Sequence, residues 1–334
     1  MESFNQLIVV FALSLVGSTV LMPFLISFAK RKQLLDIPNL RSSHVIQVPR
    51  IGGVVFFIAT SVFILGARNE FNTHGLALLF VGALLLFATG LYDDLKSVKP
   101  MVKMLAQIIA LMGIIGFYRE GIAHFREASI FGLIPAGIFQ VLVFGFFLVL
   151  VNAVNLMDGI DGLAAFVSIN FFAVMTLLFY RSEEFGFALL SLVLIGSIMA
   201  FLFFNLSHSY KVFLGDCGSL LLGFLMSAFS LQLMQSSCCD PSFNEFSGNE
   251  LSFLFLTLFS LPVIDLLRVM GIRLWNGRAV FTADRNHLHH VILDRFGLSH
   301  LQAAALLTVV HLSLVLLALF TIYGSNIQDI PVLK

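Results

Sequence analysis

The stretch NAVNLMDGIDGLAAF places amide and carboxylate side chains at regular intervals directly after a long apolar run. Its polar residues, each three positions after the last, are Asn152, Asn155, Asp158 and Asp161. On a helix, residues at this spacing are rotated by about 60° from one another, so the first three would share a face. Gly159 and Gly162 would then loosen the helix where its backbone approaches a ligand. Such oxygen ligands predict Mg²⁺, with Mn²⁺ as an alternative, and a metal shell completed by water and substrate phosphate.

A second cluster, LYDDLKSVK, follows the third long apolar run and contains two adjacent carboxylates, Asp93 and Asp94. Neighbouring carboxylates repel one another unless a cation lies between or beside them. Lys96, Lys99 and Lys103 follow within ten residues of the pair. A metal-bound phosphate with lysines nearby would provide the positive charge that these carboxylates need.

A third cluster, KVFLGDCGS, forms a short turn bracketed by glycines before another apolar run. The free N–H groups at the start of the following helix could hold an anion, while Asp216 holds a cation. Glycine turns are common, so this cluster alone is only a moderate indication of a site. Its value lies in its combination with the other clusters.

The fourth cluster, ADRNHLHH, precedes the last apolar run and supplies one guanidinium and three imidazoles, on Arg285, His287, His289 and His290. A zinc site is one interpretation, but no cysteine lies nearby and Zn²⁺ takes three or four nitrogen or sulfur ligands in tetrahedral array. Imidazoles beside arginine also donate hydrogen bonds to phosphate. The oxygen-rich character of the other three clusters favours phosphate binding here.

These clusters interrupt a very apolar chain, because 59% of its 334 residues are hydrophobic and only 11% are charged. A soluble domain is about 25% charged. A membrane-spanning helix needs about 20 mostly apolar residues, so the long runs predict an all-α polytopic membrane protein. We predict one domain over residues 1–334, whose first run is too long for a cleavable signal peptide. The ten predicted spans are 6–28, 51–67, 75–92, 103–118, 135–154, 163–180, 185–204, 218–235, 251–270 and 301–323.

The charges between these spans predict their orientation. Segments 29–50, 93–103, 205–217 and 268–300 carry most of the 19 Lys and Arg residues, so we place them in the cytoplasm and both termini outside. All four polar clusters fall on this cytoplasmic side. Any single cluster could be a solvated helix end, but four together predict phosphoryl transfer to or from a lipid. A transporter or flippase is the alternative, although its polar path would lie nearer the middle of the membrane.

The clusters resemble the motifs of a known family, the polyprenyl-phosphate N-acetylhexosamine-1-phosphate transferases. The similar elements are LLDIPNLRSSHVIQVPRIGG, GLYDDLKSVKP, NAVNLMDGIDGLA, YKVFLGDCGSLLLGF and FTADRNHLHHVILDRFGLSH. They occur in the family's order and cover most of the chain. The DRNHLHH form looks more like the enzymes that start lipid-linked O-antigen, enterobacterial common antigen or teichoic acid linkage units than like the peptidoglycan branch.

The resemblance implies a reaction and a location. A cytoplasmic UDP-N-acetylhexosamine, with UDP-GlcNAc favoured, would give its sugar 1-phosphate to undecaprenyl phosphate and release UMP. The enzyme would lie in the bacterial cytoplasmic (inner) membrane, with its active site facing the cytoplasm. It would begin a cell-surface polysaccharide such as the O-antigen of lipopolysaccharide. The lipid bilayer is a further partner, a homodimer is left open, and no nucleic-acid partner is expected.

The resemblance also implies roles for the acidic residues. Asp216 and Asn155 would hold Mg²⁺ on the diphosphate. Asp93 and Asp94 would position the lipid phosphate and take its proton.

The remaining candidates would contact the substrates. Phosphate charge would be neutralised by Lys103, Arg285, His287, His289 and His290. Asp158, counted with the catalytic residues, and Asp161 would lie near the uridine, with Asn152 also binding substrate. Phe213 would stack on the uracil, although a single Phe among 37 is by itself more often a core or lipid-facing residue.

Overall fold

The computed structural model describes residues 2–33, 35–36, 47–67, 73–239, 247–277 and 287–324. Within these ranges the chain is all-α apart from two paired two-residue strands, β1 (Leu35–Asp36) and β2 (Val48–Pro49). The helices are α1 (Glu2–Arg31), α2 (Gly52–Gly66), α3 (Thr73–Lys96), α4 (Pro100–Phe117), α5 (Arg119–Glu127), α6 (Ala136–Met157), α7 (Leu163–Arg181), α8 (Phe185–Asn205), α9 (Gly215–Cys239), α10 (Gly248–Leu258), α11 (Ser260–Trp275), α12 (Leu288–Phe296) and α13 (His300–Gly324). A 3₁₀ turn at Ile130–Leu133 joins α5 to α6.

Eight of the described helices are long and apolar enough to cross a membrane, namely α1, α3, α4, α6, α7, α8, α9 and α13. The predicted multi-pass membrane fold is therefore confirmed. Two of the ten predicted spans are not continuous helices of full spanning length. α2 has 15 residues and a length of about 22 Å, short of the roughly 30 Å of hydrocarbon. α10 and α11 form one predicted span, but they are bent by 65° at the break between them.

α9 is the central helix of the bundle. It packs against α2, α3, α5, α6 and α7, and nearly all of its spanning segment is buried. α1 and α13 lie at the periphery and expose large apolar side chains such as Leu13, Phe24 and Phe320. Lipid would cover such a surface, because exposed apolar area on this scale is unfavourable in water. The site-bearing start of α9 is thus surrounded by protein rather than by lipid.

Small residues allow α2 and α3 to approach the start of α9 closely. A Cβ atom on Gly53 would overlap the backbone of Gly218, and one on Gly90 would overlap the backbone of Asp216. Backbone bonds fix the same junction, since Phe213 donates to the Pro49 carbonyl at 2.8 Å. The first turn of α9 is therefore held by main-chain contacts on two sides.

The helix ends differ from the sequence prediction at the polar clusters. α3 continues to Lys96, so Asp93 and Asp94 lie within its last turns. α6 ends at Met157, which leaves Asp158 and Asp161 beyond the helix. Asp158 is nevertheless the C-cap residue of α6, with its N–H 3.3 Å from the Asn155 carbonyl, so it stays next to the asparagines, whereas Asp161 lies further along the loop.

Candidate active site

A lysine joins two carboxylates where α3, α4 and α9 meet. Lys103, in the first turn of α4, donates from Nζ to Asp93 Oδ2 at 2.9 Å and to Asp216 Oδ2 at 2.5 Å. About a quarter of each of the Lys103 and Asp216 side chains is exposed, 23% and 26% respectively. This open cluster brings together residues from two of the predicted motifs, and its carboxylates remain accessible to a ligand.

Asp94 has a different set of contacts from its neighbour Asp93. Its Oδ1 accepts from the Asp216 N–H and its Oδ2 from the Cys217 N–H, both at 3.0 Å. These N–H groups lie in the first turn of α9, where a helix has no internal acceptors for them. Asp94 therefore caps α9 from a neighbouring helix. Gly215 has a φ of +75°, and a Cβ there would lie 2.6 Å from Asp94 Oδ2, so this close approach requires glycine.

The two asparagines of α6 make separate contacts. Asn155 Nδ2 donates to Asp216 Oδ1 at 3.1 Å and to Ser219 Oγ at 2.8 Å. Within the described chain no hydrogen bond engages Asn155 Oδ1, which leaves that oxygen available to a ligand. Asn152, one turn earlier, donates to Gln107 Oε1 at 2.6 Å and so joins α6 to α4.

These donors fit a magnesium ion better than a zinc ion. Nowhere in the described residues do three or more His, Cys, Asp or Glu side chains converge as a group that could hold a metal. Mg²⁺ usually binds proteins through only one or two carboxylates and takes its other ligands from water and substrate phosphates. Asp216 with the free Asn155 oxygen provides such a set. The Lys103 ammonium between Asp93 and Asp216 shows that the cluster already accommodates positive charge.

Asp158 lies half-buried just beyond α6. Burial, and then the negative charges of Asp216 and Asp94, raise the pKa of Asp158 well above its usual range. The carboxyl group therefore favours its protonated form while these acids have no further cation. A bound cation would reverse that preference.

A lysine that the sequence analysis missed connects two candidates for the nucleotide region. Lys211 Nζ donates to Asp161 Oδ2 at 2.5 Å and lies 5.7 Å from the centre of the Phe213 ring. His300 Nδ1 lies 3.9 Å from the same Asp161 oxygen. Asp161 and Phe213, far apart in the sequence, thus share one neighbourhood. Lys211 is the first residue of the KVFLGDCGS cluster, but no spacing in the sequence pairs it with Asp161, which lies 50 positions away.

The histidine cluster reaches the loop after α6. His289 is 2% exposed, and its Nε2 lies so close to Gly159 that a Cβ at that position would overlap the ring. Burial, and then the neighbouring His290 and His287, lower the pKa of His289 to about 3, so the ring is neutral at physiological pH. No partner for His289 Nε2 is found among the described residues. A buried nitrogen of this kind can accept or donate one further hydrogen bond, to water or to a polar ligand. Arg285 lies outside the described residues.

Comparison with known proteins identifies the family. The model of glycosyl transferase family 4 matches residues 76–234, which contain three of the four polar clusters. The undecaprenyl-phosphate alpha-N-acetylglucosaminyl 1-phosphate transferase of Yersinia pestis is 32% identical over 304 residues, covering 89% of this chain and 79% of that protein. The chain belongs to this family. The family resemblance inferred from the motifs is thereby confirmed.

Two further relatives agree with the assignment. The probable undecaprenyl-phosphate N-acetylglucosaminyl 1-phosphate transferase of Bacillus subtilis (strain 168) is 28% identical over 305 residues, covering 90% of this chain and 80% of that protein. The undecaprenyl-phosphate alpha-N-acetylglucosaminyl 1-phosphate transferase of Escherichia coli (strain K12) is 29% identical over 303 residues, with coverages of 87% and 77%. The similarity therefore extends well beyond the segment that the family model matches.

Proposed function

We propose that this protein transfers N-acetylhexosamine 1-phosphate from a UDP-sugar, with UDP-GlcNAc favoured, to undecaprenyl phosphate. The products would be UMP and undecaprenyl-diphospho-sugar, the first membrane-bound intermediate of a cell-surface polysaccharide such as O-antigen. The names of the relatives support the substrates, and membership of the family favours an enzyme over a transporter. The observation that carries the proposal is the junction of Asp93, Lys103 and Asp216 at one end of a bundle of membrane-spanning helices.

The reaction must bring together two negatively charged groups. An oxygen of the lipid phosphate would attack the β-phosphorus of the UDP-sugar, forming one P–O bond while the bond from that phosphorus to the bridging oxygen breaks. The electron pair would leave on UMP. Lys103 and the imidazoles near Gly159 are cationic or hydrogen-bonding groups that can reduce this repulsion. Binding both substrates against the same cluster would supply their alignment.

A divalent cation would complete this site. Asp216 and the free oxygen of Asn155 would hold Mg²⁺, which when bound offsets phosphate charge and acts as a Lewis acid. Mn²⁺ has similar preferences for oxygen ligands and is the alternative ion. In the protein itself, Lys103 would keep Asp93 and Asp216 close together while substrate binds.

Direct attack by the lipid phosphate is favoured over a covalent route. In the covalent alternative, Asp93 or Asp94 would first form an aspartyl sugar-phosphate. Both Asp94 oxygens already accept backbone N–H groups, and Asp93 accepts from the Val98 N–H at 2.6 Å as well as from Lys103. A carboxylate would have to give up these hydrogen bonds in order to attack phosphorus. Both aspartates are therefore better suited to positioning the lipid phosphate.

Isotope exchange separates the two routes. Lipid-free enzyme incubated with Mg²⁺, UDP-sugar and radiolabelled UMP should place no label in the UDP-sugar, because direct attack has no half-reaction. Adding undecaprenyl phosphate should permit exchange through reversal. Rapid lipid-independent exchange that Asp93→Asn or Asp94→Asn abolishes would make that aspartate the nucleophile.

The proposed activity has a direct assay. Purified protein in detergent or nanodiscs, given undecaprenyl phosphate, Mg²⁺ and a panel of UDP-sugars, should release UMP and form a lipid-diphosphate sugar fastest with an N-acetylhexosamine. Absence of a lipid-linked product with every UDP-sugar, from protein shown to be folded, would contradict the proposal.

We also propose that the cluster faces the cytoplasm, which the charge asymmetry of the loops supports. In a protein with Cys238 and Cys239 replaced by serine, cysteines in place of Lys99 and Arg278 should react with an impermeant maleimide only from the cytoplasm. Cysteines in place of Glu70 and Glu183 should react only from outside. Labelling of the first pair from outside would reverse the orientation.

A further inference from the structure

The bend between α10 and α11 has a specific cause. In a continuous helix the N–H of Pro262 would bond to the Leu258 carbonyl, but proline has no N–H and its ring clashes with that carbonyl. The helix accordingly stops at Leu258 and restarts at Ser260, with a bend of 65°. The Leu258 carbonyl is left without its helical partner inside the protein.

A buried histidine from another helix satisfies this carbonyl. His311, on α13 and 1% exposed, places its Nε2 3.0 Å from the Leu258 oxygen. A carbonyl can only accept, so Nε2 must carry the proton, and Nδ1 then faces the Asn170 amide at 3.5 Å as an acceptor. The break is therefore held by side chains from α13 and α7, which makes it a fixed feature of the fold.

The second half of the broken span carries a buried carboxylate that the sequence analysis did not single out. Asp265 is 5% exposed, and its Oδ2 lies 2.9 Å from His287 Nδ1. Its Oδ1 accepts from the Leu288 N–H at 2.8 Å and from Arg268 at 3.1 Å. One carboxylate thus binds the first histidine of the cluster and caps the helix that carries the other two.

These contacts form a continuous chain that ends at the candidate site. Because the carboxylate accepts, His287 carries its proton on Nδ1 and leaves Nε2 available. The His287 and His289 rings stack in parallel with their centres 5.7 Å apart. His289 in turn lies against Gly159, directly beside Asp158. A displacement of Asp265 would therefore also move the His287 and His289 rings.

We propose that Asp265 is a positioning residue of the transferase. It holds the histidine cluster over the loop after α6, and the break in the span, which His311 supports, sets the orientation of Asp265. The proposal rests on the proposed function for its kinetic consequence only. Its structural consequence, the shielding of His287 and His289, can be measured without any turnover. Neither Asp265 nor His311 would touch a substrate.

The first test substitutes the carboxylate. Asp265→Asn should lower kcat/KM for the UDP-sugar by about 10-fold or more while the protein stays folded in detergent. Diethylpyrocarbonate should modify His287 and His289 several times faster than in the wild type, as mapped by mass spectrometry. Asp265→Glu should restore part of both properties, because a carboxylate is again present. Glu127→Gln, on an exposed carboxylate of α5, is the matched control and should change neither.

The second test uses the remote histidine, and it also applies if Asp265→Asn does not fold. His311→Phe keeps an aromatic ring but removes the donor to Leu258, so it should accelerate modification of His287 and His289 and lower kcat/KM in the same direction. His311→Gln can donate from its amide and should be closer to the wild type. His124→Asn, on an exposed histidine of α5, is its control.

The outcomes separate the two proposals. If the wild type has no transferase activity but Asp265→Asn and His311→Phe still expose the histidines, the proposed function fails and the positioning role stands. Unchanged modification rates and kcat/KM in Asp265→Asn would overturn the positioning role. An equal effect of His311→Phe and His311→Gln would remove His311 from it.

Discussion

The two ends of α9 both carry partly buried polar residues, yet they are built differently. At its start, Asp216 lies beside Asp93 and Asp94, and one lysine, Lys103, bridges two of these three carboxylates. Near its other end, Gln232 accepts from the Tyr118 hydroxyl at 2.7 Å. The first cluster consists of charges and the second mainly of neutral hydrogen-bonding groups.

The far cluster closes around a single carboxylate. Glu184 Oε1 accepts from Gln232 Nε2 at 3.2 Å and from Ser236 Oγ at 3.1 Å. Burial and the Glu184 charge raise the pKa of Tyr118, which keeps the phenol protonated as a donor. Tyr118, Glu184 and Gln232 line a cavity of about 560 Å³. Gln235 lines it too, and its Oε1 accepts from the Gly121 N–H at 2.9 Å.

The comparison shows that buried polarity alone does not identify a catalytic site. Neutral donors and acceptors can satisfy one another, and such networks make a fold specific. Carboxylates that outnumber their cations cannot satisfy one another in this way. The start of α9 therefore favours binding of a further cation and, with it, phosphate. The following predictions test this difference from the largest expected effect to the smallest.

Asp216→Asn should remove the cation-binding character of the first cluster. An amide oxygen binds a hard cation more weakly than a carboxylate, so turnover should fall by about 100-fold or more while the protein remains folded. UMP release and the melting temperature in detergent measure the two quantities. Activity above about a tenth of the wild type would argue against direct metal ligation.

Lys103→Met keeps the length of the side chain and removes its charge. We expect a loss of roughly 10-fold to 100-fold in kcat, smaller than for Asp216 because other cationic groups lie nearby. The requirement for Mg²⁺ should shift to lower concentrations even though kcat falls, since Asp93 and Asp216 lose the ammonium that offsets their charge and attract a metal cation more strongly. An unchanged kcat would show that Lys103 serves only the fold.

Gly90→Ala tests whether the first turn of α9 needs its close approach to α3. The added methyl group would overlap the Asp216 backbone, and such overpacking costs about 1–3 kcal/mol of stability. Activity should fall with it because Asp216 moves. Gly17→Ala, at a helical glycine whose Cβ would meet no other atom within 4 Å, is the control and should be neutral or slightly stabilising. Equal behaviour of the two variants would contradict the role assigned to this contact.

Gln232→Leu breaks the far cluster and should affect stability alone. Glu184 and Tyr118 each lose a partner, which costs about 1–3 kcal/mol when the groups are buried. Thermal denaturation should report this loss, while kcat per folded molecule stays near the wild type. A kcat as low as that of Lys103→Met would mean that both ends of α9 belong to one catalytic unit.

The membrane fold was predictable because spanning helices must bury their backbone polar groups internally, which makes long apolar runs a strong signal. Break points were less accessible to sequence reasoning. Pro262 marks the bend in the ninth predicted span, but the histidine that supports the bend lies on a different helix. The bounds of α2 were predicted as 51–67 and are Gly52–Gly66, so the prediction was accurate for the extent of this helix and failed only in treating 15 residues as a full-length span.

The site was predictable as a set of motifs, but not as a set of contacts. Adjacent residues on a helix point about 100° apart, so Asp93 and Asp94 cannot face one ligand in the same way. In the structure Asp93 accepts a hydrogen bond from Lys103, whereas Asp94 accepts from the backbone at the start of α9. Their adjacency in the sequence does not show this difference. Asp265 was missed because its partner His287 lies 22 positions away and shares no spacing pattern with it.

The central claim is that the start of α9 is a cation-dependent catalytic centre and the other end a structural one. The most direct measurement is UMP release from UDP-GlcNAc and undecaprenyl phosphate during a Mg²⁺ titration of three purified proteins, the wild type, Asp216→Asn and Gln232→Leu. We predict no turnover in EDTA, full activity and an unchanged Mg²⁺ requirement for Gln232→Leu, and at least a 100-fold loss for Asp216→Asn at every Mg²⁺ concentration. Wild-type turnover that persists in EDTA, or an Asp216→Asn enzyme that matches the wild type at saturating Mg²⁺, would contradict the claim.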